Sequence, residues 1–343
     1  YSSDMFKAAQ AFNLRDKEPH HRFIDQFTCR ARPVQEILEN KGVVEVRHLA
    51  AVMRNPVKFY LNRGLDITIE TEDERILKTE EEIIISSLDR HVLKQYALRD
   101  DFNRVLYRAE REGKLPFGLF KTLAAKRLYE EVEDVKERLN KHGIKPEHFF
   151  QIEFSPGCTE PMQLKEDHWL FPPVKIDFDN DFELSIEGKV SLATEKGLIS
   201  LSKGTLADAW KTWPQFLLYC YAAQQIPGLL NPQLIFSHDT HPKKAFFENP
   251  QKYLKNVVHY YSLCLHHFSP LFPDWISLIL NEDEEALQKK IEETFNNSFG
   301  GYPNYELRWT LNPHSFPSSE LMIKEWKPCA DELFKDVLQF WYS

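Results

Sequence analysis

Between Phe182 and Ala223 the hydrophobic period of the chain changes once, and the change restricts what the surrounding residues can build. Leu184 and Ile186, then Val190 and Leu192, then Leu198, Ile199 and Leu201 read as three short strands. Asp179-Asn180-Asp181, Gly188 and Lys196-Gly197 mark the reversals, because Asn, Asp and Gly accept the backbone angles of tight turns. The period then lengthens to that of an amphipathic helix ending near Ala223, with Thr205 or Thr212 as its cap. The rest of the chain reads as support for this strand–turn–helix unit. A catalytic site, if there is one, belongs in it.

The strand pattern begins upstream, near Phe149, where Val174, Ile176 and Phe178 alternate with Lys175 and Asp177. Gln233 to Phe236 reads as a further strand. Asn249-Pro250 opens a helix through Tyr253, Val257, Tyr260 and Leu263, and Trp275–Leu280 and Glu284–Phe295 also read as helices. Residues 297–319, rich in Gly, Pro, Asn and Ser, read as a long loop. An amphipathic helix through Leu333, Val337, Phe340 and Trp341 closes the chain.

Ahead of the strands the pattern is helical. Leu49, Val52 and Met53 form one apolar stripe; Asn55 caps a second helix with Pro56 at its first position, and Gly64 stops it. Lys41, Arg47, Arg54, Lys58 and Arg63 stand against one acid, Glu45. They read either as a solvated helix face or as a phosphate-facing patch. Residues 70–82 form an acidic connection, and Leu88 to His142 are helical with a turn at EGKLPFG. Residues 1–40 lack a core of their own and read as a linker or arm from a preceding domain. The expected division is therefore that arm and one domain over 41–343, with a helical part at 43–148, a sheet-and-helix core at 149–236 and C-terminal helices at 250–343.

The net charge of −9 supplies no overall field for nucleic acid, so any DNA contact must come from local basic patches. The five cysteines are dispersed and odd in number, with no CxxC pair, which points to reduced thiols and a cytoplasmic setting. No apolar run approaches the ~18–20 residues of a membrane span. The first residue is Tyr1, which fits a piece of a longer protein. His238 and His241, with Asp239 between them, would diverge at the end of a strand, and the adjacent His266 and His267 diverge on a helix. Neither pair is expected to hold a metal. No GxSxG, HExxH or GxxxxGK[ST] motif is present, so no P-loop ATP site is expected.

Four blocks carry a family resemblance: VRHLAAVMRNPVKFYLNRGLDI, SSLDRHVLKQYAL, LYRAEREGKLPFGLF, and the opening unit ending in WPQFLLYCYA. In this order and spacing they resemble the C-terminal region of RecC, the gamma subunit of exodeoxyribonuclease V (the RecBCD helicase–nuclease). The resemblance implies a PD-(D/E)XK restriction-endonuclease-like fold: a mixed central sheet with flanking helices and a large helical insertion. Active relatives carry an Asp on one strand, Asp-x-Lys on the next and Gln-x-x-x-Tyr on the following helix. Two carboxylates there hold Mg²⁺, and the lysine neutralises developing charge.

On this chain those positions fall at Ser191, at Leu201-Ser202-Lys203, and at Gln215 and Tyr219. Lysine, glutamine and tyrosine are kept, and both acids are replaced. Glu187 and Glu195 at turns and Asp208 in the first helical turn are the acids nearby. The resemblance therefore implies a non-catalytic domain with no catalytic residue and no metal or cofactor of its own, Mg²⁺ and ATP being used by partner subunits. Its expected partners are RecB-like and RecD-like subunits, double-stranded DNA ends and forked or single-stranded DNA, and no membrane. A pure protein-interaction domain is the alternative, favoured by the net acidity and by the aromatics of GGYPNYELRW and the terminal FWYS. An active Mg²⁺-dependent exonuclease is the third.

Overall fold

The computed structural model describes residues 42–68, 84–145, 148–178, 182–226, 229, 232–238, 243–244, 247–296 and 318–342. The expected arm at 1–40, Lys41, the acidic connection and nearly all of the long loop at 297–319 lie outside the described residues. The protein is mixed α/β, with a central mixed sheet flanked by helices.

The sheet is organised by β6 (Phe182–Thr194), a single continuous strand. Its first half pairs antiparallel with β5 (Val174–Phe178) and parallel with the short β1 (Val43–Glu45). Its second half pairs antiparallel with β2 (Phe150–Phe154) and with β7 (Gly197–Ser200). Beyond β2 lie β4 (His168–Phe171) and then β3 (Met162–Lys165), while β8 (Gln233–Phe236) runs parallel to β7 and carries β9 (Lys243–Lys244).

Two strands and a reversal at Gly188 were expected where one strand runs through. Gly188 is a bend inside β6, with φ of 133°, a region open to glycine but strained for other residues. It also permits close approach, since a Cβ there would lie 2.5 Å from Cγ1 of Val46. Three residues further on, the register with β2 moves from Ile152↔Val190 to Phe150↔Ala193. One extra β6 residue is accommodated, so Ser191 and Leu192 together face Gln151 as a bulge.

The helix after β7, α6 (Leu206–Ala223; helices are numbered in chain order below), has Thr205 rather than Thr212 as its cap. The Thr205 hydroxyl accepts from the Asp208 amide at 3.2 Å, and the Asp208 carboxylate accepts from the Thr205 amide at 3.1 Å. The helix is buried on most sides rather than on one stripe. The sheet lies beneath it, and α1 (Val46–Arg54), α7 (Pro250–His266), α8 (Pro273–Leu280) and α10 (Ser319–Tyr342) pack around it. Trp210 meets Phe334 edge-on at 4.5 Å between ring centroids, and Trp213 meets Phe340 at 5.4 Å, which docks α10.

α1 ends at Arg54, and Asn55 caps α2 (Pro56–Phe59), its side chain accepting from the Lys58 amide at 3.0 Å. α2 passes into a π-helical turn at Tyr60–Gly64. The region from Leu88 to His142 holds three helices where the sequence pattern indicates two: α3 (Ser87–Ala97), α4 (Phe102–Arg111) and α5 (Gly118–Lys141). The unexpected break is made by Asp101, whose carboxylate accepts from the Arg104 amide at 3.0 Å. The helix expected at Glu284–Phe295 is α9 (Glu284–Asn296).

α3–α5 cover the opposite face of the sheet from α6. Val190, Ala193, Leu198 and Leu234 belong to the core under α6. Leu192, Ile199, Leu201 and Ile235 belong to a second core with Leu93, Val105, Leu128, Val132 and Val135 of the three helices. Leu198 and Ile199, like Leu234 and Ile235, are consecutive residues entering different cores, as the period of two requires. The central strands are therefore apolar on both faces.

Gly188→Ala should lower stability by about 3 kcal/mol, from backbone strain and the clash with Val46. Gly157→Ala, with nothing near its added Cβ, should change it by less than about 0.5 kcal/mol. Urea unfolding of both variants checks the contrast.

Candidate functional site

The end of the sheet formed by β6, β7 and the start of α6 holds the positions at which the resemblance expects a nuclease centre. Ser191 sits in the β6 bulge, half-buried. Arg99, from the α3–α4 connection, donates through Nη1 to the Ser191 carbonyl at 3.4 Å and to Oε1 of Gln151 at 3.1 Å. Its Nη2 lies 3.5 Å from the Asp167 carboxylate. Leu201, just past β7, is 9% exposed and packs into the core of α3–α5. Lys203 is exposed two residues further on.

Gln215 and Tyr219 share a face of α6, but their surroundings differ. Gln215 is half-buried, whereas Tyr219 is fully enclosed, its hydroxyl donating to the Thr194 carbonyl at 2.8 Å. Burial pushes the phenol well above its usual range, so it stays protonated and remains a donor. Tyr219 thus ties α6 to the last residue of β6.

Toward α6 the end of β7 carries hydroxyls. The Ser200 hydroxyl lies 2.8 Å from that of Ser202 and 3.5 Å from that of Thr212, which donates to the Asp208 carbonyl at 2.8 Å. His238 Nδ1 lies 2.9 Å from the Ser237 hydroxyl. The acids weighed as substitutes are elsewhere. Glu187 lies within β6 opposite Glu45, not at a turn; Glu195 is exposed in the β6–β7 turn; Asp208 is engaged in the α6 cap. Among the described residues no three His, Cys, Asp or Glu side chains gather where they could hold a metal. His241 and Asp239 lie outside the described residues, and His266 and His267 stand at the end of α7.

The basic candidates separate into two groups. Arg47 grips the Glu45 carboxylate through Nε at 2.6 Å and Nη2 at 2.7 Å, and Arg63 Nη2 lies 3.0 Å from His48 Nε2. Arg54 and Lys58 are exposed at the end of α1 and on α2. Arg54 acts together with Lys211 of α6, a residue the motif reading passes over. Burial of the Lys211 ammonium, reinforced by Arg54, lowers its pKa although the side chain reaches solvent. Burial, then Lys211 and Lys94, lower the pKa of His91 on α3. Lys211 is thus felt by Arg54 on one side and by His91 on the other. Glu131 offsets part of the positive charge, lying 3.0 Å from Lys94 and 3.7 Å from Arg90. Being the single basic residue of α6 was the sequence signal for Lys211, and Arg99 had none.

Two substitutions test this geometry. Leu201→Asp places a carboxylate against the apolar faces of α3–α5 and should cost about 3 kcal/mol or more. Tyr219→Phe leaves the Thr194 carbonyl unpaired and should cost about 1–2 kcal/mol. Both are read from denaturant midpoints at neutral pH.

A family model for the RecC C-terminal domain matches residues 41–282. No curated protein matches the chain. The matched span runs from the start of β1 through α8 and takes in the β6–β7–α6 unit and the whole α3–α5 core, while α9 and α10, which complete the core under α6, lie beyond it. On that match, covering well over half of its length, the chain belongs to the RecC C-terminal domain family.

Proposed function

We propose that the chain is a non-catalytic, PD-(D/E)XK nuclease-like domain of a RecC-like subunit in a RecBCD-type complex. In double-strand break repair it supports separation of the duplex, guides the DNA strands and docks RecB-like and RecD-like subunits. Family membership supports the setting. The β6–β7 hairpin followed by α6, with β8 parallel to β7, supports the nuclease-like reading, since it is the element order on which the Asp, Asp-x-Lys and Gln-x-x-x-Tyr signature is carried.

The observation that carries the non-catalytic reading is the packing of Leu201. Its face of the sheet is filled by Leu192, Ile199 and the α3–α5 helices, so the position has become part of a core. A hard divalent cation needs several oxygen ligands, and a leucine supplies none. In this reading ATP and Mg²⁺ serve the partner subunits, and Arg54, Lys58 and Lys211 contact phosphates.

Arg54→Glu with Lys58→Glu should weaken binding of forked DNA by the assembled complex by about tenfold or more and flatten its salt dependence. Unchanged binding would remove these residues as DNA contacts. The chain itself should not cut linear DNA in Mg²⁺; robust cleavage lost on Glu187→Ala would sink the non-catalytic reading.

One observation favours a pure protein-interaction domain instead. The start of α5 exposes Leu119 at 76%, with Phe120 and Leu123 also open to solvent. If Leu119→Asp abolishes assembly with RecB-like and RecD-like subunits while the charge reversals leave fork binding intact, that reading prevails.

A further inference from the structure

At the far end of the sheet from β9, β3 is hydrogen-bonded, among the described residues, to β4 alone. All four of its residues are exposed, including Met162 at 46% and Leu164 at 51%. The register moves from Gln163↔Trp169 to Lys165↔His168, so the strand bulges at Leu164. An outer strand keeps one row of amide and carbonyl groups available for pairing, and proteins ordinarily guard it with charge, bulges or a covering segment. Among the described residues the guard amounts to Lys165 and the bulge, while two apolar side chains stay exposed.

Directly beside this edge is a cavity of about 650 Å³, within the size range of ligand-binding clefts. Gln163 and Lys165 of β3 line it, so edge and cavity share one strand. Its lining has an apolar and aromatic part, with Phe150, Trp169, Ile226 and Leu229. It also has an acidic part, with Glu166, Asp167 and Glu195 beside the basic Lys165 and His148. Asp167 is partly satisfied by Arg99 at 3.5 Å, whereas Glu166 and Glu195 have no ion-pair partner among the described residues. Aromatic lining together with unpaired carboxylates suits a cation. It repels a phosphate backbone.

We propose that β3 receives an extended segment of a partner polypeptide, which adds to the sheet as a further strand and places an arginine or lysine side chain in this cavity, against Trp169, Glu166 and Glu195. Main-chain pairing along β3 supplies sequence-independent affinity, and the cavity supplies selectivity. Met162 and Leu164 cover alternate side chains of the added strand. The proposal does not depend on the DNA-handling reading.

The test uses the whole chain and fluorescein-labelled peptides of about eight residues with alternating Val and Thr. One has a central Arg, one a central Glu, and one a central Arg flanked by Pro, which cannot donate to the strand. Fluorescence anisotropy should show saturable binding of the Arg peptide, at least about tenfold weaker binding of the Glu peptide, and none of the Pro peptide. Glu166→Lys with Glu195→Lys, both at exposed sites, should weaken the Arg peptide by about tenfold and improve the Glu peptide. Amide exchange across Met162–Lys165 should slow when the Arg peptide is bound. The proposal is overturned by any of four results: no saturable binding of the Arg peptide up to about 1 mM, equal binding of the Glu or Pro peptide, an unchanged affinity in the charge-reversed variant, or displacement of the Arg peptide by a short oligothymidylate.

Discussion

Leu198 and Ile199 are neighbours in β7 and belong to different cores, one under α6 and one under α3–α5. Two-sided burial of the central strands sets the requirements for everything around them. It demands a helical layer on each face, which the long α6 and the α3–α5 group provide. It demands a bend where β6 passes from one set of partners to the next, and Gly188 makes it. It also bears on the proposed nuclease-like reading, because the face at position 201, where that reading would put a metal ligand, is used for packing. Leu201 gains roughly 1.5–3 kcal/mol from burial there, and a carboxylate could not share that place without loss.

Retention of Tyr219 has the same logic. A buried phenol that hydrogen-bonds the end of β6 is worth keeping for the fold whether or not chemistry occurs nearby. Lys203 and Gln215 make no such contribution among the described contacts, and their survival is read through the resemblance alone.

The layered α/β class was legible from the change of period between Phe182 and Ala223, and β5, β8, α7 and the α2 cap were legible from alternation and from Asn-Pro pairs. Gly188 misled because glycine in a strand signals a turn and a close approach equally well, and only Val46, far away in sequence, distinguishes them. The break before α4 was hidden because Asp101 caps it without Gly or Pro. α6 was read as one-sided because local pattern cannot show how many neighbours surround a helix. At the site, the absence of an acid at Ser191 and at Leu201 is read only through the resemblance. The link of Lys211 to Arg54 and to His91 was not legible, since it depends on three elements far apart in sequence.

In the proposed non-catalytic reading, position 201, where the resemblance expects a metal ligand, serves as core instead. A crystal of the chain soaked in Mn²⁺ tests it most directly, through the anomalous signal at the end of β7. No ordered metal is expected around Ser191, Leu201 and Lys203, with Leu201 still packed against Ile199 and the α3–α5 helices. A Mn²⁺ peak there, held by Glu187, Glu195 or Asp208 in place of the missing acids, would contradict that reading.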